Sequence, residues 1–185
     1  MTTVPGAAVA PGDAAGTALR CAEPAGPGRR ALRDVLGRYA TGVTVVTCAD
    51  PHGAPAGVTV NSFTSVSLDP PLILWCLALS SRGRPAFTAA EYFAVNVLAA
   101  GQRDLAARFA GPGDRFQGLA TLPGPHGEPL ITGAAATLCC RRGDVVPAGD
   151  HLILLGTVEQ HALTARRALL FADGTYHAGP PPARA

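Results

Sequence analysis

Short apolar runs recur along this chain, and turn chemistry cuts each one off before a helix could complete itself. Val43 to Cys48 reads VTVVTC, a β-branched run that favours a strand. Asp50-Pro51-His52-Gly53 follows and breaks it. A second run through Ala56 to Asn61 then makes a hairpin the expected arrangement. Leu68-Asp69-Pro70-Pro71 breaks the chain again. Leu72 to Leu79 (LILWCLAL) is continuously apolar, which predicts a strand buried on both faces. Further strands are expected at Tyr92 to Leu98, Ala134 to Arg141, His151 to Gln160 and Ala168 to His177, the last broken at Asp173-Gly174. The tally is six or seven strands.

Helical spacing is confined to short stretches. Leu32, Val35, Leu36 and Tyr39 fall on one face of Arg30 to Ala40, an amphipathic helix that Thr41-Gly42 would end. Pro85 suits the first turn of another short helix, and Gln102 to Phe109 predicts a third. Gly111 to Gly127 holds three prolines and is expected to be irregular. Hairpins therefore dominate, with no β-α-β alternation and no internal repeat. A mainly β fold follows, an antiparallel barrel with a few short flanking helices, and not a dinucleotide-binding doubly wound sheet.

At 185 residues the chain suits one domain. Hydrophobic residues make up 48 % and charged residues 15 %, a globular composition. Residues 1–28 are rich in Ala, Gly and Pro without periodicity and read as a disordered tail. The folded domain is expected over 29–178, with a short disordered tail at 179–185. All 15 basic residues are Arg, they are scattered, and the net charge is +2, so no nucleic-acid footprint is visible. No apolar run is long enough to span a membrane, and no secretory signal is visible. A cytoplasmic location is expected. The five cysteines include no Cys-x-x-Cys pair, which argues against a zinc site or a disulfide framework. Cys48 and Cys76 lie in apolar runs and are expected to pack as small hydrophobes.

The segment carrying chemistry is Gly57 to Pro71, GVTVNSFTSVSLDPP. Thr59, Asn61, Ser62, Thr64, Ser65 and Ser67 crowd around a single Phe63. Such a loop can meet the polar edges of a heterocycle while the phenyl ring covers its apolar part. It can equally satisfy its own backbone. Ser80-Ser81-Arg82 follows the LILWCLAL run and offers two hydroxyls and a guanidinium to a phosphate, or forms an ordinary polar turn. His151, in Gly149-Asp150-His151, stands at the mouth of an apolar run, either facing a ligand or simply at a surface turn.

Taken in order, these pieces resemble the flavin reductase-like family, which includes the reductase components of two-component flavin monooxygenases. The resemblance rests on RYATGVTVVT (Arg38 to Thr47), TVNSFTSVSLDPPL (Thr59 to Leu72), Ser80-Ser81-Arg82 and FAVNVL (Phe93 to Leu98). It continues through RFA (Arg108 to Ala110), DRF (Asp114 to Phe116) and Gly149-Asp150-His151. It implies a split β-barrel that binds FMN or FAD, a homodimer, and flavin reduction by NADH or NADPH for a partner monooxygenase. By position, it implies that Asn61 to Ser65 line the isoalloxazine, with Thr59 beside them. Ser67, Ser80, Ser81 and Arg82 would lie near the ribityl phosphate, Asn96 close to the flavin, and His151 at the nicotinamide side. Tyr176 matches an aromatic near the C-terminus, although Thr175 and His177 stand where a basic neighbour is expected. Hydride transfer needs no protein acid or base at the reacting carbon, so binding residues are expected and no catalytic group beyond His151 as a candidate. The alternatives are a split-barrel flavoprotein that keeps its flavin and acts on an organic substrate, and a flavin-binding protein without turnover.

Overall fold

A computed structural model describes residues 28–182. The expected tail over 1–28 lies almost wholly outside the described residues, as does the end of the C-terminal one. In chain order the elements are α1 (Gly28–Gly37), β1 (Thr41–Gly42), β2 (Thr44–Ala49), β3 (Pro55–Val60), β4 (Thr64–Leu68), β5 (Pro71–Ala78), α2 (Arg84–Ala89), β6 (Tyr92–Val97) and α3 (Arg103–Ala110). Then come β7 (Thr121–Pro123), β8 (Pro129–Ile131), β9 (Ala136–Ala148), β10 (His151–Leu163), β11 (Leu169–Ala172) and β12 (Thr175–Ala178).

Seven strands form one antiparallel sheet in the order β3-β2-β6-β9-β10-β5-β4. Its two edge strands, β3 and β4, are consecutive in the chain and joined only by Asn61, Ser62 and Phe63. The sheet must therefore curl until its edges meet at that three-residue link. This is a barrel with an unzipped seam, the split-barrel architecture expected from sequence. A three-stranded sheet, β1-β11-β12, and the β7-β8 ribbon flank it.

Two cores hold the barrel. Trp75 fills the interior, with Phe87 and Phe93 edge-on at 5.1 and 5.8 Å. Val46, Cys48, Leu77 and Leu154 pack with it. The second core lies outside the barrel wall, where Val43, Val45, Leu98, Ile131 and Leu169 receive Ala106 and Phe109 from α3. Val46 and Cys48 join one core and Val43 and Val45 the other, so VTVVTC is buried on both faces.

Several expectations change. LILWCLAL is fully buried on one face only: Ile73, Trp75 and Leu77 point inward, while Leu72, Leu74, Cys76 and Ala78 stay half-buried. Thr64–Leu68 is an edge strand and not a loop; the serines and threonines that suggested a loop suit a strand with an exposed face. The proline-rich stretch hides β7, which pairs with β8 in register Thr121↔Ile131. The first helix ends at Gly37, and Thr41–Gly42 belongs instead to a strand paired with β11. Its apolar face, formed by Leu32, Val35 and Leu36 with the adjoining Tyr39, is exposed rather than packed on the core. The final strand is a hairpin: Asp173 and Gly174 form its two-residue turn with φ of 48° and 74°, both positive as a type I′ turn requires. No helix among the described residues is long and apolar enough to cross a membrane.

Cys48 and Cys140 are buried thiols whose pKa burial pushes up to about 12, so they stay protonated and pack as apolar groups. Cys139 is likewise raised to about 12, by burial first and then by Glu128 beside it.

Candidate functional site

The barrel seam and the ends of β5 and β10 bring most of the sequence-predicted residues to one region. Beyond the last β4 pair, Thr64↔Leu74, β5 has no strand on its β4 side, while β10 continues along the other. The Ser62 hydroxyl takes over there: its Oγ accepts from Cys76 N at 2.9 Å and donates to Cys76 O at 3.3 Å. A side chain thus continues the ladder and fixes the Asn61–Phe63 corner against β5. Phe63 is half-buried and packs on the barrel core.

Two residues past the end of β5 come Ser80, Ser81 and Arg82. His151 opens β10 directly opposite Ala78, and Leu79 N donates to Asp150 O at 2.9 Å. The Ser80–Arg82 loop and the Gly149-Asp150 turn are therefore neighbours. Gly149 (φ 61°) and Asp150 are the two-residue turn of the β9-β10 hairpin. His151 Nδ1 lies 2.7 Å from Asp150 Oδ1. A carboxylate accepts only, so Nδ1 carries the hydrogen, and Nε2 is the ring nitrogen left for a ligand.

Hydrogen bonding sorts the candidates. Thr59 Oγ1 donates to Ala106 O at 2.7 Å and anchors α3 on β3. Ser62 is engaged with β5, and Ser67 Oγ accepts from Asp69 N at 3.2 Å. These three hydroxyls build the frame. The side chains of Asn61, Ser65, Ser80, Ser81 and Arg82 make no hydrogen bond or ion pair to other described residues, and Thr64 makes only a long one to Ser65 O (3.5 Å). That second set is free to meet a ligand.

Tyr176, on β12, shares a cavity of about 200 Å³ with Thr59, Asn61 and Phe171. Its ring packs on Phe171 at 5.2 Å, with the Arg103 guanidinium 5.5 Å from its centroid. The basic neighbour absent at positions 175 and 177 is thus supplied from α3. A larger cavity of about 540 Å³ adjoins, sharing Asn61 and Phe171 and walled by α1. A third, of about 310 Å³, lies between Arg82 and Arg115.

Asn96 is a correction. Expected close to the flavin, it has 0 % exposure. Its Nδ2 donates to Val45 O (3.0 Å) and Thr47 Oγ1 (3.1 Å), and its Oδ1 accepts from Ile131 N (2.9 Å). Both amide N–H groups and one oxygen lone pair are thus engaged inside the core. Sequence reasoning also passed over Arg115: DRF carried the resemblance without a role, and only folding places it across a cavity from Arg82. Among the described residues no cluster of His, Cys, Asp and Glu could hold a metal ion.

The residues present fit a flavin nucleotide. Unpaired hydroxyls and an amide at the seam match the polar edges of the ring, Phe63 and Tyr176 offer apolar surface, and unpaired guanidinium charge suits a phosphate.

Comparison with known proteins agrees. Residues 36–180 match the family described as Flavin reductase like domain. The chain is 45 % identical over 150 residues to the stachydrine N-demethylase reductase subunit Stc3 of Rhizobium meliloti, covering 80 % of this chain but 65 % of that protein. It is 46 % identical over 153 residues to the FMN reductase (NADH) SmoA of Agrobacterium fabrum, covering 83 % and 87 % of the two chains. Among solved structures, the Streptomyces globisporus NADH:FAD oxidoreductase SgcE6, in complex with NAD and FAD fragments, superposes with a TM-score of 0.81 at 40 % identity. That match covers 89 % of this chain and 99 % of the other. With 145 of its residues matched in one run and the split barrel in common, this chain belongs to the flavin reductase like domain family.

Proposed function

We propose that this protein is an NAD(P)H:flavin oxidoreductase that supplies reduced FMN or FAD to a partner monooxygenase. The observation that carries it is the set of unpaired polar groups, Asn61 and Ser65 at the seam and Ser80, Ser81 and Arg82 past the end of β5, the latter beside a histidine held by Asp150. Relatives named as FMN reductase (NADH) and as reductase subunits of flavin-dependent monooxygenases support the reading.

Hydride transfer is the chemistry of nicotinamide and flavin when bound. The chain's own contribution is position and solvent exclusion. Asn61, Thr64 and Ser65 meet the polar rim of the ring, Phe63 and Tyr176 cover apolar area, and Ser80, Ser81 and Arg82 hold the phosphate. His151, oriented by Asp150, would meet the nicotinamide carboxamide through Nε2. The test is NADH and NADPH oxidation by the purified protein, with and without added FMN or FAD. Turnover only with added flavin is the expected result; no oxidation under any combination refutes it.

His151→Ala should raise KM for NAD(P)H or slow flavin reduction several-fold, since losing one such bond costs about 0.5–1.5 kcal/mol. Flavin affinity without nicotinamide should stay the same. Stopped-flow reduction beside a flavin titration decides: normal reduction rates at every NAD(P)H concentration remove His151 from the site.

The protein is proposed to work as a homodimer. Register places Leu72, Leu74 and Cys76 of β5 on one face with Leu155 and Ile153 of β10 and the 45 %-exposed Val146 of β9. This half-exposed apolar face needs a cover. Thr64 and His151 border it, so a second copy would wall the site. Light scattering should give about twice 18.8 kDa, and Leu155→Asp should shift the mass to the monomer. A wild-type mass of one chain at micromolar concentration rejects the dimer. Unpaired Cys48, Cys76, Cys139 and Cys140 support a reducing, cytoplasmic location.

A further inference from the structure

Arg82 and Arg115 line one cavity from separate loops, together with Gly57, Gly83 and Phe116. The two differ in how they are held. Arg82 is exposed and its side chain bonds to no other described residue. Arg115 is half-buried and rigidly placed: Nε and Nη2 donate to Gly111 O at 3.0 and 2.8 Å, and Nη1 donates to Gly57 O at 2.6 Å. All its partners are neutral carbonyls, which orient a guanidinium without cancelling its charge. Of its five N–H groups, three are engaged and two remain.

The carboxylate next to it does not neutralise it. Asp114 Oδ1 accepts from Phe116 N (2.9 Å) and Gln117 N (3.2 Å), fixing the turn that carries Arg115. Neither arginine forms an ion pair with a carboxylate among the described residues. A half-buried, immobilised cation without a counter-ion is costly to keep unless an anion from outside completes it. A second unpaired cation lining the same cavity adds to the attraction for the same anion.

We propose that Arg115 is a second phosphate-binding cation that closes, with Arg82, a clamp on a phosphate of the flavin nucleotide. Arg115 is the fixed jaw and Arg82, on its exposed loop, the adjustable one. The inference rests on the flavin reductase reading above. A phosphate is the shared chemistry of two sources, the monoester of FMN and the diphosphate of FAD. Both guanidiniums offer paired N–H donors to either.

The test is a titration of riboflavin, FMN and FAD, followed by flavin fluorescence, on wild type, Arg115→Gln and Arg115→Lys. Arg115→Gln should weaken FMN and FAD about 10-fold or more, the range for a hydrogen bond to a charged group. Riboflavin, which has no phosphate, should change less than about 2-fold. Arg115→Lys keeps the charge and should recover part of the loss. Weakening of FAD alone assigns Arg115 to the distal phosphate and still supports the clamp. If Arg115 only tethers its loop, both variants will weaken all three flavins alike, or none, and the clamp is overturned while wild-type flavin binding stands. If wild type binds none of the three, the flavin reading itself falls and takes the clamp with it.

Discussion

Asn96→Ala should lower stability by about 3–5 kcal/mol. The buried amide ties three strands at once: its own β6, β2 through Val45 O and Thr47 Oγ1, and β8 through Ile131 N. Thr47 Oγ1 in turn donates to Pro129 O, so the short β8 is latched to the barrel wall by a chain of polar contacts. Alanine would leave Ile131 N–H and Val45 O buried without this partner and open a void between them. Each orphaned group costs about 1–3 kcal/mol, and the void adds to that. For a domain of this size the loss corresponds to a fall in Tm of about 6–20 °C. Asn96→Asp keeps the shape and the acceptor for Ile131 N. It sets a buried carboxylate against Val45 O, however, and should do no better at neutral pH. Thermal melts settle the point. A Tm within about 2 °C of wild type, together with weaker flavin binding, would return Asn96 to the ligand site.

Asn96 shows where sequence reasoning stops. FAVNVL displays a lone polar residue in an apolar strand, and such a residue serves either a ligand or the core. Deciding requires knowing what faces it, and its partners Val45 and Ile131 are 51 and 35 positions away. The same limit applies to the hydroxyl-rich segment. Composition singled out the stretch, because few other segments concentrate so many small polar groups. It could not separate Ser62, which replaces a strand beside Cys76, from Ser65, whose side chain makes no hydrogen bond to a described residue. That distinction is a matter of register, set by where β4 stops pairing with β5.

The barrel itself was more legible than its details. Turn dipeptides such as Asp173-Gly174 announce hairpins because few residues tolerate the positive φ they need. Strands of three residues between prolines, like β7 and β8, carry too little pattern to be read. The half-exposed apolar face of β5 was misread as fully buried for a related reason. A continuous apolar run does not say which of its two faces the core takes, and only the Ile73, Trp75 and Leu77 face is fully buried.

Gly57→Ala should be the most damaging change of a single methyl group within the hydroxyl-rich segment, because it couples the core to the candidate site. A Cβ there would stand 2.4 Å from Phe109 Cε1, 2.7 Å from Phe109 Cδ1 and 3.2 Å from Phe116 Cζ. Phe109 cannot swing aside: it is fully buried in the core beneath α3 and meets Phe116 edge-on at 5.1 Å. So α3 and the loop after it must move off β3. That movement strains the Thr59 to Ala106 hydrogen bond and the Arg115 grip on Gly57 O. Overpacking of this kind costs about 1–3 kcal/mol, and the displaced arginine should weaken FMN while sparing riboflavin. The clash is with one ring, which makes the cause separable by a double-mutant cycle with Phe109→Leu. On the smaller leucine background the alanine should cost at least about 1 kcal/mol less than on wild type. If instead the two changes add to within about 0.5 kcal/mol, the Phe109 contact is not what holds position 57 to glycine.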